Sequence, residues 1–255
     1  MFRTLTVLAA LVAAVGQTVA TDLENACGSP PEPFNTTAGA SNVLIIGDSI
    51  SMGCCWGGST TEPIGYGLYV KSYFEAEGLA TVQHNGGWEK EGQAGPTTKG
   101  MQCIDYWLGN QTALWDVCSF NFGLHDLAAD SEHVPIPEYA ANIASIQKRI
   151  AAKCRRHTFV TTTPVPDVKT SPARLPMDVI AYNDAARGAL APGSNVTDLW
   201  QWVVDRCGGA VNYTACDIQR HDNVHYLGPG RSYTGLRVAM GIMQALGTVN
   251  ATEAA

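Results

Sequence analysis

The feature that most limits how this chain folds is the run Val43-Leu44-Ile45-Ile46, closed by Gly47. Four consecutive apolar residues leave no polar side for water. They read as a short strand buried on both faces, as in a parallel sheet. Residues 115–123 (WDVCSFNFG), 157–165 (HTFVTTTPV) and 194–200 (SNVTDLW) also read as strands, and 80–84 (ATVQH) as an edge strand. Between them lie segments of helical spacing at 67–76, 101–108, 138–155, 177–190 and 230–247. In the helix at 138–155, Ile143, Ile146 and Ile150 share one side. Strands that alternate with helices predict an α/β domain, a three-layer α/β/α sandwich around a mostly parallel sheet. In such sheets the working residues collect at the carboxyl ends of the strands.

The first twenty residues, MFRTLTVLAALVAAVGQTVA, carry one arginine, an apolar stretch too short to span a membrane, and small residues at the end. They read as a cleaved secretory signal peptide. The expected layout is a signal peptide at 1–20, an arm rich in Pro, Gly, Ser and Thr at 21–41, one domain at 42–247 and a polar tail at 248–255. Removing Arg3 leaves 15 Lys and Arg against 23 Asp and Glu, a net charge of −8. With no basic run, nucleic acid and anionic membrane are not expected partners.

Eight cysteines behind a signal peptide point to disulfides. Cys207 and Cys216 flank GGAVNYTA and are the best candidates for a local bridge, and Cys27 is placed to tie down the arm. No CxxC or HxxxH pattern has a matching second pair, so zinc is not expected. Asn-x-Ser/Thr sequons stand at Asn35, Asn110, Asn195, Asn212 and Asn250, which a eukaryotic secretory pathway would read as glycan acceptors on exposed loops.

The strand ends carry the chemistry. After the first strand comes GDSISMG (47–53). A glycine-rich loop with GPTT (95–98) follows the second, GLHD (123–126) follows the third, and DNVH (222–225) lies beyond the last. A serine, backbone amides and an Asp-x-x-His at one edge are the parts acyl transfer needs: a nucleophile, oxyanion donors and an oriented base. Taken singly, Gly-Asp-Ser reads equally as a helix cap after a strand. The order and placement of the set are more specific.

With those residues in place, the chain resembles the SGNH (GDSL-type) hydrolases, serine esterases and lipases on a flavodoxin-like fold. The resemblance covers about residues 42–247, anchored on VLIIGDSISMG and DNVHYLGPG. It implies Ser49 as nucleophile, His225 as general base and Asp222 as its orienting partner. A helix starting near Ser49 would lend its positive end to an anionic intermediate. His221 reads as a loop histidine. The resemblance implies oxyanion donors at the Ser49 amide, at the amide of Gly95 (with Gly86 and Gly87 as alternatives) and in the third block. That block is usually Gly-x-Asn-Asp and here is Gly123-Leu124-His125-Asp126. A neutral imidazole can donate one N–H, so His125 is read as standing in for the asparagine. A buried structural histidine, or a second base paired to Asp126, are the other readings. Asn121 is a further donor candidate. Trp88 either covers the site or shields surface, and Cys54, Cys55 and Trp56 shape a pocket or staple a loop.

The expected activity is hydrolysis of short-chain esters, such as acetyl groups on a polysaccharide, by a secreted enzyme with no metal or organic cofactor. Transfer of the acyl group to a sugar hydroxyl, and glycan binding without turnover, are the alternatives.

Overall fold

A computed structural model describes residues 22–35, 39–53, 63–88, 93–167, 169–208 and 216–248. The signal peptide, Cys54, Cys55, Trp56, the sequons at Asn212 and Asn250, and all but the first residue of the C-terminal tail lie outside the described residues. Five parallel strands form the sheet: β1 (Ser41–Ile46), β2 (Ala80–His84), β3 (Trp115–Phe120), β4 (Cys154–Val160) and β5 (Asn195–Thr197). The spatial order is β2-β1-β3-β4-β5. The chain passes from β1 outward to β2, then back across β1 to β3. That reversal opens a crevice at the carboxyl ends of β1 and β3.

The helices are α1 (Gly67–Ala76), α2 (Thr97–Leu108), α3 (Ile136–Lys153), α4 (Pro176–Ala189), α5 (Leu199–Arg206) and α6 (Gly228–Leu246). One layer packs α2 on α3 and α3 on α4, and the other packs α1 on α6 and α6 on α5. The core follows the apolar pattern: Val43, Leu44, Ile45 and Ile46 are all buried, as are Ile143, Ile146 and Ile150 on α3. The α/β/α reading of the sequence therefore describes this fold.

Three local readings need correction. Residues 198–200 do not extend the fifth strand. Asp198 accepts a hydrogen bond from the Gln201 N–H (3.1 Å), caps α5 and turns the chain into a helix. The fourth strand starts at Cys154 and ends at Val160, because the Thr162 N–H leaves the ladder for Asn183 Oδ1 (2.8 Å). The arm is not wholly exposed: residues 22–27 are helical and Cys27 is buried.

Disulfides join Cys207 to Cys216, as the spacing suggested, and Cys27 to Cys103 on α2, which ties the arm to the domain. A third, Cys118 to Cys154, links β3 to β4. Closing loops of 76 and 36 residues, the two longer bridges each stabilise by about 4 kcal/mol on chain-entropy grounds. Among the sequon asparagines, Asn110 and Asn195 are exposed, whereas the Asn35 amide donates to Thr81 Oγ1 (2.8 Å). No helix among the described residues is long and apolar enough to cross a membrane.

Candidate active site

The turn after β1 is built from four contacts. Gly47 donates its N–H to Asn85 Oδ1 (2.8 Å) and accepts from the Ala94 N–H (2.9 Å). Asp48 Oδ1 accepts from the Ile50 N–H (2.8 Å), and the Asp48 carbonyl accepts from the Ser51 N–H (3.0 Å). A Cβ at position 47 would lie 2.5 Å from Ser51 Oγ, so only glycine fits. Ser49 sits on this turn with its Oγ 2.9 Å from His225 Nε2. Residues 49–51 form a turn and 52–53 are irregular, in place of the expected helix, so the described structure gives no helix end at Ser49.

His225 comes from a short hairpin ahead of α6. Gln219 bridges Tyr226, and the Arg220 N–H donates to the His225 carbonyl (2.9 Å). Buried Val224 and Tyr226 flank the histidine and hold the hairpin against the core. Its backbone N–H donates to Asn223 Oδ1 (2.8 Å), and its ring Nδ1 lies 3.2 Å from the same oxygen. That contact places the ring proton on Nδ1 and leaves the Nε2 lone pair for the Ser49 hydroxyl. Asp222 is exposed and accepts from Asn223 Nδ2 (2.9 Å), so its described path to the ring runs through Asn223. Sequence reasoning missed Asn223. The signal was an Asx turn, in which a side-chain oxygen binds a backbone N–H two residues on. Burial lowers the His225 pKa, the Asp48 carboxylate raises it, and Arg220, Arg174 and His125 lower it, for a net downward shift. The ring is therefore neutral near neutral pH. His221 is exposed.

The loop before α2 approaches the same turn. The bond from Ala94 to Gly47 sets Gly95 beside the nucleophile segment, with φ +65°. Neither the Ser49 nor the Gly95 N–H has a hydrogen-bond partner among the described residues. Gly86 and Gly87 face elsewhere: the Gly87 N–H closes a turn on the His84 carbonyl (3.1 Å), and the Gly86 carbonyl accepts from Ser29 in the arm (3.0 Å).

His125 is not paired to Asp126. Its Nδ1 lies 2.5 Å from Glu132 Oε2. Burial pulls its pKa down, but the hydrogen bond to Glu132 and the fields of Asp48 and Glu132 outweigh burial and raise it. The neutral imidazole expected at this position is therefore replaced by one biased toward the cation, with Nε2–H as its second donor. His125 and His225 influence each other's charge, and His125 also feels Asp48.

Asp126 is buried and accepts from the Thr97 N–H (2.8 Å) and hydroxyl (2.5 Å), which holds the first turn of α2. Burial raises its pKa to about 6 against those bonds. Asn121 is committed elsewhere, its Nδ2 donating to the Val160 carbonyl (2.8 Å). Trp88 lies against His84 (ring centroids 5.4 Å apart) and behind the nucleophile turn.

No family model and no curated protein matches the chain. Solved structures do. A lipase/acylhydrolase from Enterococcus faecalis superposes with a TM-score of 0.62 at 17% identity, over 82% of this chain and 97% of that one. A catalytic mutant of an acetylxylan esterase from Geobacillus stearothermophilus gives 0.59 at 16%, over 83% and 97%. A protein from Parabacteroides merdae described as a GDSL-like lipase gives 0.56 at 13%, over 85% and 100%. The chain therefore has the fold of the SGNH/GDSL-type hydrolases along nearly the whole length of those proteins.

Proposed function

We propose that the protein is a serine esterase that cleaves carboxylic esters through an acyl-enzyme. The observation that carries this reading is the 2.9 Å contact between Ser49 Oγ and His225 Nε2, across 176 residues of sequence. A hydroxyl held on a neutral imidazole is an activated nucleophile.

Ser49 Oγ attacks the ester carbonyl carbon while His225 Nε2 takes its proton. The oxyanion that forms is held by the amide N–H groups of Ser49 and Gly95 and by His125 Nε2–H. His225 returns the proton to the leaving alkoxide, releasing the alcohol and leaving acyl-Ser49. Water then enters with His225 as base, and the acid departs. Asn223 Oδ1 orients the base, Asp222 holds Asn223, and the Asp48 carboxylate favours the imidazolium. A cation at position 125 suits a site where negative charge develops better than a neutral donor would.

The structural neighbours include acetylxylan esterases, which supports a short acyl group and a glycan alcohol. The N-terminal twenty residues and the three disulfides support secretion. A chain-length series of p-nitrophenyl esters tests the reading. Acetate should be turned over fastest and Ser49→Ala should be inactive. Equal rates for Ser49→Ala and wild type would end the proposal. Acetate appearing on an added oligosaccharide instead of in water would reassign the enzyme as a transferase.

A further inference from the structure

A second serine–histidine pair lies directly behind the first. Ser51 Oγ is 2.8 Å from His84 Nε2, and both residues are almost wholly buried, at 2% and 3% exposure. On its other side, His84 Nδ1 faces two carbonyl oxygens, of Gly87 (3.1 Å) and Asn85 (3.2 Å). Carbonyls only accept, so Nδ1 carries the proton and Nε2 is the acceptor for the Ser51 hydroxyl. The one Ser51 hydroxyl proton has two acceptors within reach, His84 Nε2 and the Asp48 carbonyl (2.9 Å), which belongs to the peptide that leads into Ser49. A line of contacts thus runs from the 84–87 turn through His84 and Ser51 to the backbone on which Ser49 sits.

Two features show that this line is built in. Gly47 has no side chain because Ser51 Oγ occupies the space a Cβ would take. Trp88 closes the open side of His84, and a Cβ at Gly53 or Gly67 would meet the indole at 2.7 Å, so the ring fits between two glycines. Asn85, next to His84, holds Gly47 from the same strand end. Ser49 is also buried, at 4% exposure, but its histidine His225 is only half-buried, whereas the inner pair has both members buried.

We propose that His84 is a positioning residue for the reaction: through Ser51 it fixes the turn that aims the Ser49 hydroxyl and amide. The inference rests on the reading of Ser49 as nucleophile. Small displacements of a reacting group cost up to about 100-fold in rate without weakening substrate binding, so the effect belongs in kcat.

The test is steady-state hydrolysis of p-nitrophenyl acetate, with active centres counted by an organophosphonate that labels Ser49. Per labelled centre, His84→Phe and Ser51→Ala should each lower kcat by about 10- to 100-fold and leave KM within about twofold. His84→Gln, whose amide reaches the Nε2 position, should recover most of the loss. The double variant should be no worse than the poorer single, because both act through one contact. A merely structural pair would change the number of labelled centres and the melting temperature, not kcat per centre. Values of kcat within twofold of wild type for both single variants would overturn the proposal. If instead wild type itself is inactive, or Ser49→Ala matches it, the esterase reading fails first and takes this inference with it.

Discussion

Two serines on one turn face two histidines at nearly the same distance, 2.9 Å for Ser49–His225 and 2.8 Å for Ser51–His84. In each, a carbonyl-type oxygen lies by Nδ1, which points the Nε2 lone pair at the hydroxyl. By geometry alone they are interchangeable. Both serines are buried, at 4% and 2% exposure; it is the histidines that differ, in access and in proton affinity. His225 sits on a hairpin at the rim, and the Asp48 carboxylate offsets part of its burial. His84 is buried under Trp88, and desolvation drives its pKa to about 4 despite two backbone hydrogen bonds. A general base must gain and lose a proton near the working pH and reach a substrate. On the proposed function His225 fills that role, and His84, buried with its serine, does not. A serine–histidine contact is thus a framework as readily as a catalytic dyad, and the solvent boundary decides which.

The largest expected effect breaks the comparison outright. Ser49→Ala should lower kcat by at least about 10⁴-fold, the scale seen for loss of a serine nucleophile. Ser51→Ala should stay within the 10- to 100-fold range. Equal losses would mean that the two serines do not have different roles. Next in size is His125. Removing one oxyanion donor costs about 10²–10³-fold in kcat, and His125→Ala should fall there. The pH profile gives the sign. On the proposed mechanism His225 works deprotonated, and burial lowers its pKa, so activity should fall as pH drops through that lowered pKa. On the same proposal His125 works protonated, and Glu132 and Asp48 raise its pKa against burial, so activity should fall again as pH rises through it. Glu132→Gln removes the charge that raises His125 and should move the alkaline limb to lower pH. An unmoved alkaline limb would remove His125 from the oxyanion site.

How much of this the sequence disclosed follows from the range of each signal. The β1 run and the α3 periodicity are local and dense, so the sheet and its helical layers were legible. The turn into α5 was not: Asn-Val-Thr-Asp-Leu-Trp favours a strand by composition, and only the Asp198 cap ends it. Ser49 and His225 carry short motifs at strand and hairpin ends, and the structure brings them together. Partners set by folding were invisible. Glu132 lies seven residues from His125 with no motif between. Asn223 was overlooked between Asp222 and His225. His84 closes an ordinary edge strand, and nothing in ATVQH distinguishes it until Ser51 packs against its ring.

The smallest effects are on stability, and here two buried groups behind the site oppose each other. The folded-state pKa of His84 is depressed from 6.5 to about 4. The unfolded chain therefore binds its proton first, and the stability from the neutral ring, on the order of 3 kcal/mol, is lost as pH falls from 6.5 to 4. Asp126 is raised from 3.8 to about 6, so the folded state holds the proton longer. Its contribution, also about 3 kcal/mol, is present below pH 3.8 and lost as pH rises through 6. Between pH 4 and 6 the two terms run in opposite directions and largely cancel. His157 and His225, both lowered by burial, share the sign of His84, whereas the raised His125 shares that of Asp126. Urea unfolding at pH 6.5, 5 and 4 separates the terms. Relative to wild type, His84→Phe should become more stable as pH falls, and Asp126→Asn should become less stable. Parallel curves for wild type and His84→Phe would mean that His84 gains its proton in the folded state at the same pH as in the unfolded chain, and would erase the difference in proton affinity that separates the inner pair from the outer one.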